Sequence, residues 1–134
     1  MRPKPGGAAP SPPAPQHCDW QREISPDPAL LFRYSALTFN AHRIHYDRPY
    51  AMNVEGYPGL VVHGPLIATL LLDLLQRNLP DAQIRNFSFK AIKPTFDLTA
   101  FKIGGSRNKD GASVQLWAKH PDGALAMDAT AGLR

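Results

Sequence analysis

Gly64-Pro65-Leu66-Ile67-Ala68-Thr69-Leu70-Leu71-Leu72-Asp73-Leu74-Leu75 is apolar on nearly every side of a helical wheel. Proline at a first helical position is harmless, because the N–H it lacks would have no intrahelical acceptor. The run continues to about Asn78 and Pro80 then stops it. A helix apolar almost all round has to be covered on most sides. After it, Gln83 to Phe96, Ala100 to Ile103, Ala112 to Lys119 and Ala124 to Gly132 read as strands. Pro94, Gly104-Gly105, Asn108 to Gly111 and Pro121-Asp122-Gly123 read as the turns between them. A buried helix followed by an antiparallel meander predicts an α+β fold with a curved sheet wrapped around the helix. No internal repeat is visible.

Upstream, Ala29 to Ser35 fits a helical turn or a strand by periodicity alone. The stretch from Asn40 to His63 is long, and rich in Tyr46, Pro49, Tyr50, Gly56, Tyr57, Pro58 and Gly59. Long loops in compact domains are functional or disordered as a rule, and the interleaved aromatics predict order over a substrate. Inside it lies Asn40-Ala41-His42-Arg43-Ile44-His45, with two polar groups five residues apart, and then Gly59-Leu60-Val61-Val62-His63-Gly64-Pro65-Leu66. A proton-moving group and a glycine at the mouth of a helix are the two parts that chemistry on a thioester needs.

Composition sets bounds. The chain has 134 residues, 43% of them hydrophobic, enough for one domain with a real core. Six of its 14 prolines fall in the first fifteen residues beside Gly6, Gly7, Ala8, Ala9 and Ala14. Residues 1–19 are therefore expected to be a disordered Pro/Ala-rich tail or linker, with the folded domain at 20–134. No secretory signal or membrane-spanning run is evident, which predicts a soluble, cytoplasmic-type protein. Cys18 is the single cysteine, so an intrachain disulfide and a thiolate metal cluster are excluded. The formal charge is +4, but the basic residues are scattered without interleaved aromatics, which argues against nucleic acid. A mild basic excess suits an anionic CoA or phosphopantetheine ligand.

The motif resembles the signature of the MaoC-like, (R)-specific enoyl-CoA hydratases, Asp-x-Asn-Pro-x-His, followed downstream by a Val-His-Gly-Met-Leu-like turn into the central helix of a hot-dog fold. The family's catalytic Asp falls on Asn40, its Asn on His42, its Pro on Arg43 and its catalytic His on His45; the turn falls on Val62 to Leu66. Asn40 cannot ionise and Arg43 is not proline, and both depart from the pattern. Phe32 to Asp47 is most similar to the mesaconyl-CoA and itaconyl-CoA hydratases and the type 2 hydroxyacyl-thioester dehydratases, where the motif lies in the C-terminal half of a chain roughly twice as long. The resemblance covers about Trp20 to Arg134.

The resemblance implies a hydro-lyase acting at the α,β position of an acyl-CoA or acyl-carrier-protein thioester, with no redox cofactor and no metal. His45 is the expected proton-transfer residue, since imidazole titrates near neutrality; the bland alternative is a hydrogen-bonded loop histidine. Asn40 is expected to hold water, with Asp47, Glu55 or His42 as possible stand-ins for the lost carboxylate. Gly64 is expected to supply an oxyanion N–H at the positive end of the helix, against a plain helix N-terminus. Arg43 and Arg48 are candidates for a substrate carboxylate or CoA phosphates, or for ion pairs. Tyr46, Tyr50 and Tyr57 either line the acyl pocket or pack the loop. His42 and His63 complete the expected substrate site, His63 orienting the turn. A lone hot dog exposes one sheet face, so a homodimer or a pairing with a second hot-dog half is expected. The alternatives are a degenerate subunit that binds acyl-CoA or completes a partner hydratase and, third, a thioesterase.

Overall fold

A computed structural model describes residues 11–134. Its strands are β1 (Trp20–Ile24), β2 (Ile84–Ala91), β3 (Phe101–Arg107), β4 (Ser113–Lys119) and β5 (Leu125–Leu133); its helices are α1 (Pro28–Leu37) and α2 (Gly64–Asn78). All five strands join one antiparallel sheet in the order β1-β3-β4-β5-β2. α2 packs on β1, β3, β4 and β5. Leu66, Ile67, Ala68, Leu71, Leu74 and Leu75 are buried, while Pro65, Thr69, Gln76 and Arg77 form the strip left to solvent. Opposite them the sheet contributes Phe101, Ile103, Val114, Leu116, Ala129 and Ala131 to the same core.

Three sequence expectations change. Gly104 and Gly105 do not turn the chain but lie inside β3, in register with Trp117 and Leu116. A Cβ on Gly104 would sit 2.9 Å from Trp117 Nε1, and one on Gly105 2.7 Å from Leu116 Cδ2. The glycines make room for large cross-strand neighbours, a role that sequence alone cannot separate from turn chemistry. The sheet is also not a simple meander. Only β3, β4 and β5 follow one another in space, while β2 crosses to the outer side of β5. The edge strand β1 had no strand signal beyond a short alternation; its burial alternates from Trp20 to Ile24 as one side meets the core.

The two readings open at Ala29–Ser35 resolve to a helix. Asp27 caps α1 by accepting the Leu30 N–H at 2.7 Å, with Pro28 in the first turn. Residues 1–10 of the expected tail lie outside the described residues. Its next portion is pinned: Pro12 O accepts the Leu125 N–H and the Ala14 N–H reaches Gly123 O, both at 2.9 Å. Proline lacks a donor but keeps its carbonyl, so a proline-rich segment can still join a ladder. Among the described residues no helix is long and apolar enough to cross a membrane.

Leu71 is fully buried at the centre of α2. Leu71→Ala should cost about 2–5 kcal/mol of stability, read as a lower urea midpoint with an unchanged slope.

Candidate active site

The loop after α1 is built by local backbone capture. The Thr38 N–H and hydroxyl both reach Tyr34 O, Phe39 takes a left-handed φ of 55°, and the Asn40 N–H donates to Ser35 O at 2.8 Å. Asn40 Oδ1 then accepts the His42 N–H at 3.1 Å, an Asx turn that launches the short 3-10 turn Arg43–His45. Its side-chain NH2 donates to no group among the described residues.

His45 is 8% exposed. Its Nδ1 lies 2.7 Å from Val61 O. A carbonyl only accepts, so Nδ1 carries the proton and Nε2 keeps the lone pair of a base. Burial pushes the His45 pKa below the usual imidazole value, partly countered by the Val61 bond, with His42 adding to the decrease. The backbone around Val61 is itself held. The Val61 N–H reaches Ile44 O, the Val62 N–H reaches Thr95 O, and the Asp97 N–H reaches Leu60 O. Asp97 closes the frame: its side chain, 2% exposed, accepts both Arg48 guanidinium nitrogens and the Leu60 N–H.

His63 packs face to face on His45, with centroids 3.8 Å apart and planes 16° from parallel, while His42 meets His45 edge-on at 5.7 Å. His63 is 1% exposed. Its Nε2 is 2.7 Å from Ser35 Oγ, Tyr34 lies against its ring at 4.7 Å, and its Nδ1 has no hydrogen-bond partner among the described residues. Burial, with the His45 charge second, pushes the His63 pKa down to about 4, so the ring is neutral near pH 7.

Gly64 opens α2, where a first-turn N–H has no intrahelical acceptor. It lines a groove of about 290 Å³ with Val61, Ile67, Ile92, Thr95 and Met127. A Cβ built on Gly64 would meet only Met127 Cε, at 3.9 Å. Neither packing nor a positive φ requires glycine there.

The structure thus brings His42, His45 and His63 together and sets Gly64 next to His63 in the chain. The arginines are engaged elsewhere. Arg43 pairs with Asp47 at 2.8 Å and lies 4.2 Å over the Tyr50 ring; the hydrogen bond to Asp47 raises the Arg43 pKa and lowers that of Asp47. Arg48 is committed to Asp97, whose hydrogen bond raises its pKa. Tyr57 leans on Phe96 at 5.8 Å, Tyr46 OH donates to Ala41 O, and Tyr50 OH donates to Glu55. Sequence reading missed Ser35, Tyr34, Asp97 and the Val61 carbonyl. Asp97, a lone acid between Phe96 and Leu98, carried a faint signal; a carbonyl carries none.

A family model, hydroxyacyl-thioester dehydratase type 2, matches residues 1–97. The mesaconyl-C(4)-CoA hydratase of Chloroflexus aurantiacus is 52% identical over 97% of this chain and 47% of its own length. The mitochondrial hydroxyacyl-thioester dehydratase type 2 of Schizosaccharomyces pombe is 42% identical over 61% of this chain and 27% of its own. The chain spans half or less of the length of these curated relatives. The A. caviae (R)-hydratase involved in PHA biosynthesis superposes with a TM-score of 0.73 at 19% identity, over 95% of this chain and 96% of that one. The Mycobacterium tuberculosis ChsH1-ChsH2 complex gives 0.73 at 16%, over 93% and 96%. At such identities the structural likeness is one of fold, the hot dog.

A buried neutral histidine makes the fold acid-labile. The unfolded chain takes up the His63 proton near 6.5 and the folded one only near 4, so the stability is present above pH 6.5 and is lost as pH falls towards 4. The shift corresponds to about 3 kcal/mol. Urea midpoints measured from pH 7 to 4 should fall steeply, and His63→Phe should flatten that dependence.

Proposed function

The chain belongs to the hydroxyacyl-thioester dehydratase type 2 family, and on that premise we propose that it is a hydro-lyase that adds water to, or removes it from, the α,β position of an acyl thioester. The observation that carries the proposal is His45: Nδ1–H fixed on a backbone carbonyl, Nε2 left basic, in a loop that meets the segment leading into the Gly64 helix mouth.

In the hydration direction, the Gly64 N–H polarises the thioester carbonyl and stabilises the enolate that develops as the β-carbon is attacked. Nε2 of His45 takes a proton from water as its oxygen bonds to the β-carbon, and the resulting imidazolium delivers that proton to the α-carbon. One water is consumed, no electrons change hands, and no redox group is needed. Asn40 holds the water through its amide; in dehydration the steps reverse. His42 and His63 border His45, while Arg43, Arg48 and Tyr57 shape the loop beside the substrate.

The Chloroflexus relative, named as a mesaconyl-C(4)-CoA hydratase, supports a short branched dicarboxylyl-CoA as substrate, with mesaconyl- and itaconyl-CoA the first to test. We further propose a paired assembly, a homodimer or a union with a second hot-dog unit, in the cytoplasm. Its support is the edge position of β2 with Phe89 47% exposed, and the exposed Phe32 and Phe39. Asn40 in place of a carboxylate motivates one other reading, a subunit that binds acyl-CoA without turning it over.

The test is the loss or gain of enoyl-thioester ultraviolet absorbance with crotonyl-, mesaconyl- and itaconyl-CoA, with thiol release followed in parallel. Absorbance change without thiol is expected; thiol release would make it a thioesterase, and binding without change would favour the inert subunit. His45→Ala should lower kcat by about 10²–10⁴-fold while leaving the fold intact. Asn40→Asp keeps the acceptor for the His42 N–H and should maintain or raise turnover.

A further inference from the structure

We propose that His63 is a positioning residue for His45: a flat platform, anchored by Ser35 on α1, that fixes the plane of the His45 ring. The proposal rests on His45 being the proton-transfer group of the reading above.

The Nδ1–H···O bond to Val61 constrains one edge of the His45 ring but leaves it able to swing about that contact. The stacked His63, 3.8 Å away and within 16° of parallel, removes the swing on one face, and His42 limits it on another side. A platform is useful only if it cannot move. His63 is 1% exposed, bonded through Nε2 to Ser35 Oγ at 2.7 Å and flanked by Tyr34 at 4.7 Å. Ser35 is itself only 5% exposed, on a helix capped at its start by Asp27. The chain of contact runs from α1 through Ser35 and His63 to His45, so a helix with no place in the chemistry sets the angle of the base.

One further feature fits a platform better than a reacting group. Burial keeps the ring neutral near pH 7, which stacking on a base that becomes cationic in each turnover requires, because two cations at this separation repel. An aromatic hydrocarbon would stack but could not bond Ser35.

The titratable groups facing His45 are His42 from its own turn and His63 from the segment before α2, with Tyr34 of α1 behind His63. Covering one face of His45 with a neutral ring favours its uncharged form. His63→Ala should therefore uncover that face, raise the His45 titration midpoint towards the ordinary imidazole value, and move the acid limb of the kcat/KM profile upward in pH. His63→Phe should hold the midpoint near that of the parent. Ser35→Ala should lower kcat about tenfold or more, since a small misplacement of a catalytic group is costly, with KM within about twofold.

The experiment is a side-chain NMR titration of His45 in the 134-residue chain and in the three variants, with kinetics and thermal melts alongside. Folded His63→Ala with an unmoved His45 midpoint would overturn the platform; so would Ser35→Ala with unchanged kcat, the arm that remains if His63→Ala does not fold. The NMR arm needs no turnover. A midpoint that moves as expected in a protein inactive on every thioester would keep the platform and sink the hydro-lyase reading instead.

Discussion

A helix that is apolar on most of its circumference can exist in water only if something wraps it, and the rest of this molecule follows from wrapping α2. Burial of Leu66, Ile67, Leu71, Leu74 and Leu75 is worth about 1.5–3 kcal/mol per side chain, which no flat sheet touching one side could recover. The sheet must curve, and its strands must approach one another where large side chains turn inward. Gly105 yields its Cβ position to Leu116 and Trp20 on the helix-facing side, while Gly104 yields its own to Trp117 on the other face. Wrapping also fixes where the helix begins. With α2 held along its length, its N-terminal N–H groups stay at one end of the sheet, next to the segment 60–62 that leads into it.

That segment joins fold to site. Leu60 and Val62 bond to Asp97 and Thr95, Val61 bonds to Ile44 and receives the Nδ1–H of His45, and His63 follows at once with its ring on the His45 face. Four consecutive residues thus carry a backbone clamp, the acceptor that sets a tautomer, and a stacked ring. The buried Asp97 holds the clamp closed through Leu60 and Arg48. An arginine two residues before Tyr50 looked free to meet a substrate, yet its partner lies 49 residues away, and no local pattern announces a partner at that distance.

The contrast runs through the whole chain. α2 was legible at both ends, because Gly64-Pro65 and Pro80 are local signals and the leucines dominate any window. β4 and β5 were legible to within a residue through the turn residues around them, whereas the run read from Gln83 to Phe96 overshoots β2, which ends at Ala91. Whether a Gly-Gly pair turns or packs depends on the strand opposite, so the bend at Gly104-Gly105 was misplaced and β3 cut short. β1 was missed because five residues, two of them charged, contain too little pattern to stand out. The three histidines were legible as a group through the motif, whereas their geometry was not: stacking and burial belong to tertiary structure, and Ser35 had no mark that separated it from any other helix serine.

Asn40 sharpens what the proposed chemistry demands. Where the resembled pattern has a carboxylate, Asn40 supplies only a dipole. What remains close to the ring is the Val61 carbonyl, whose oxygen points at Nδ1–H and so bears part of the developing charge. The lowered His45 pKa then acts in both directions, making the imidazole a weaker acceptor from water and the imidazolium a stronger donor to carbon. Proton delivery to an enolate carbon gains from the second effect. An amide at this position therefore shifts the cost between the two proton transfers while leaving their sequence intact, and because hydration and dehydration cross the same transition states, the two directions lose efficiency by the same factor.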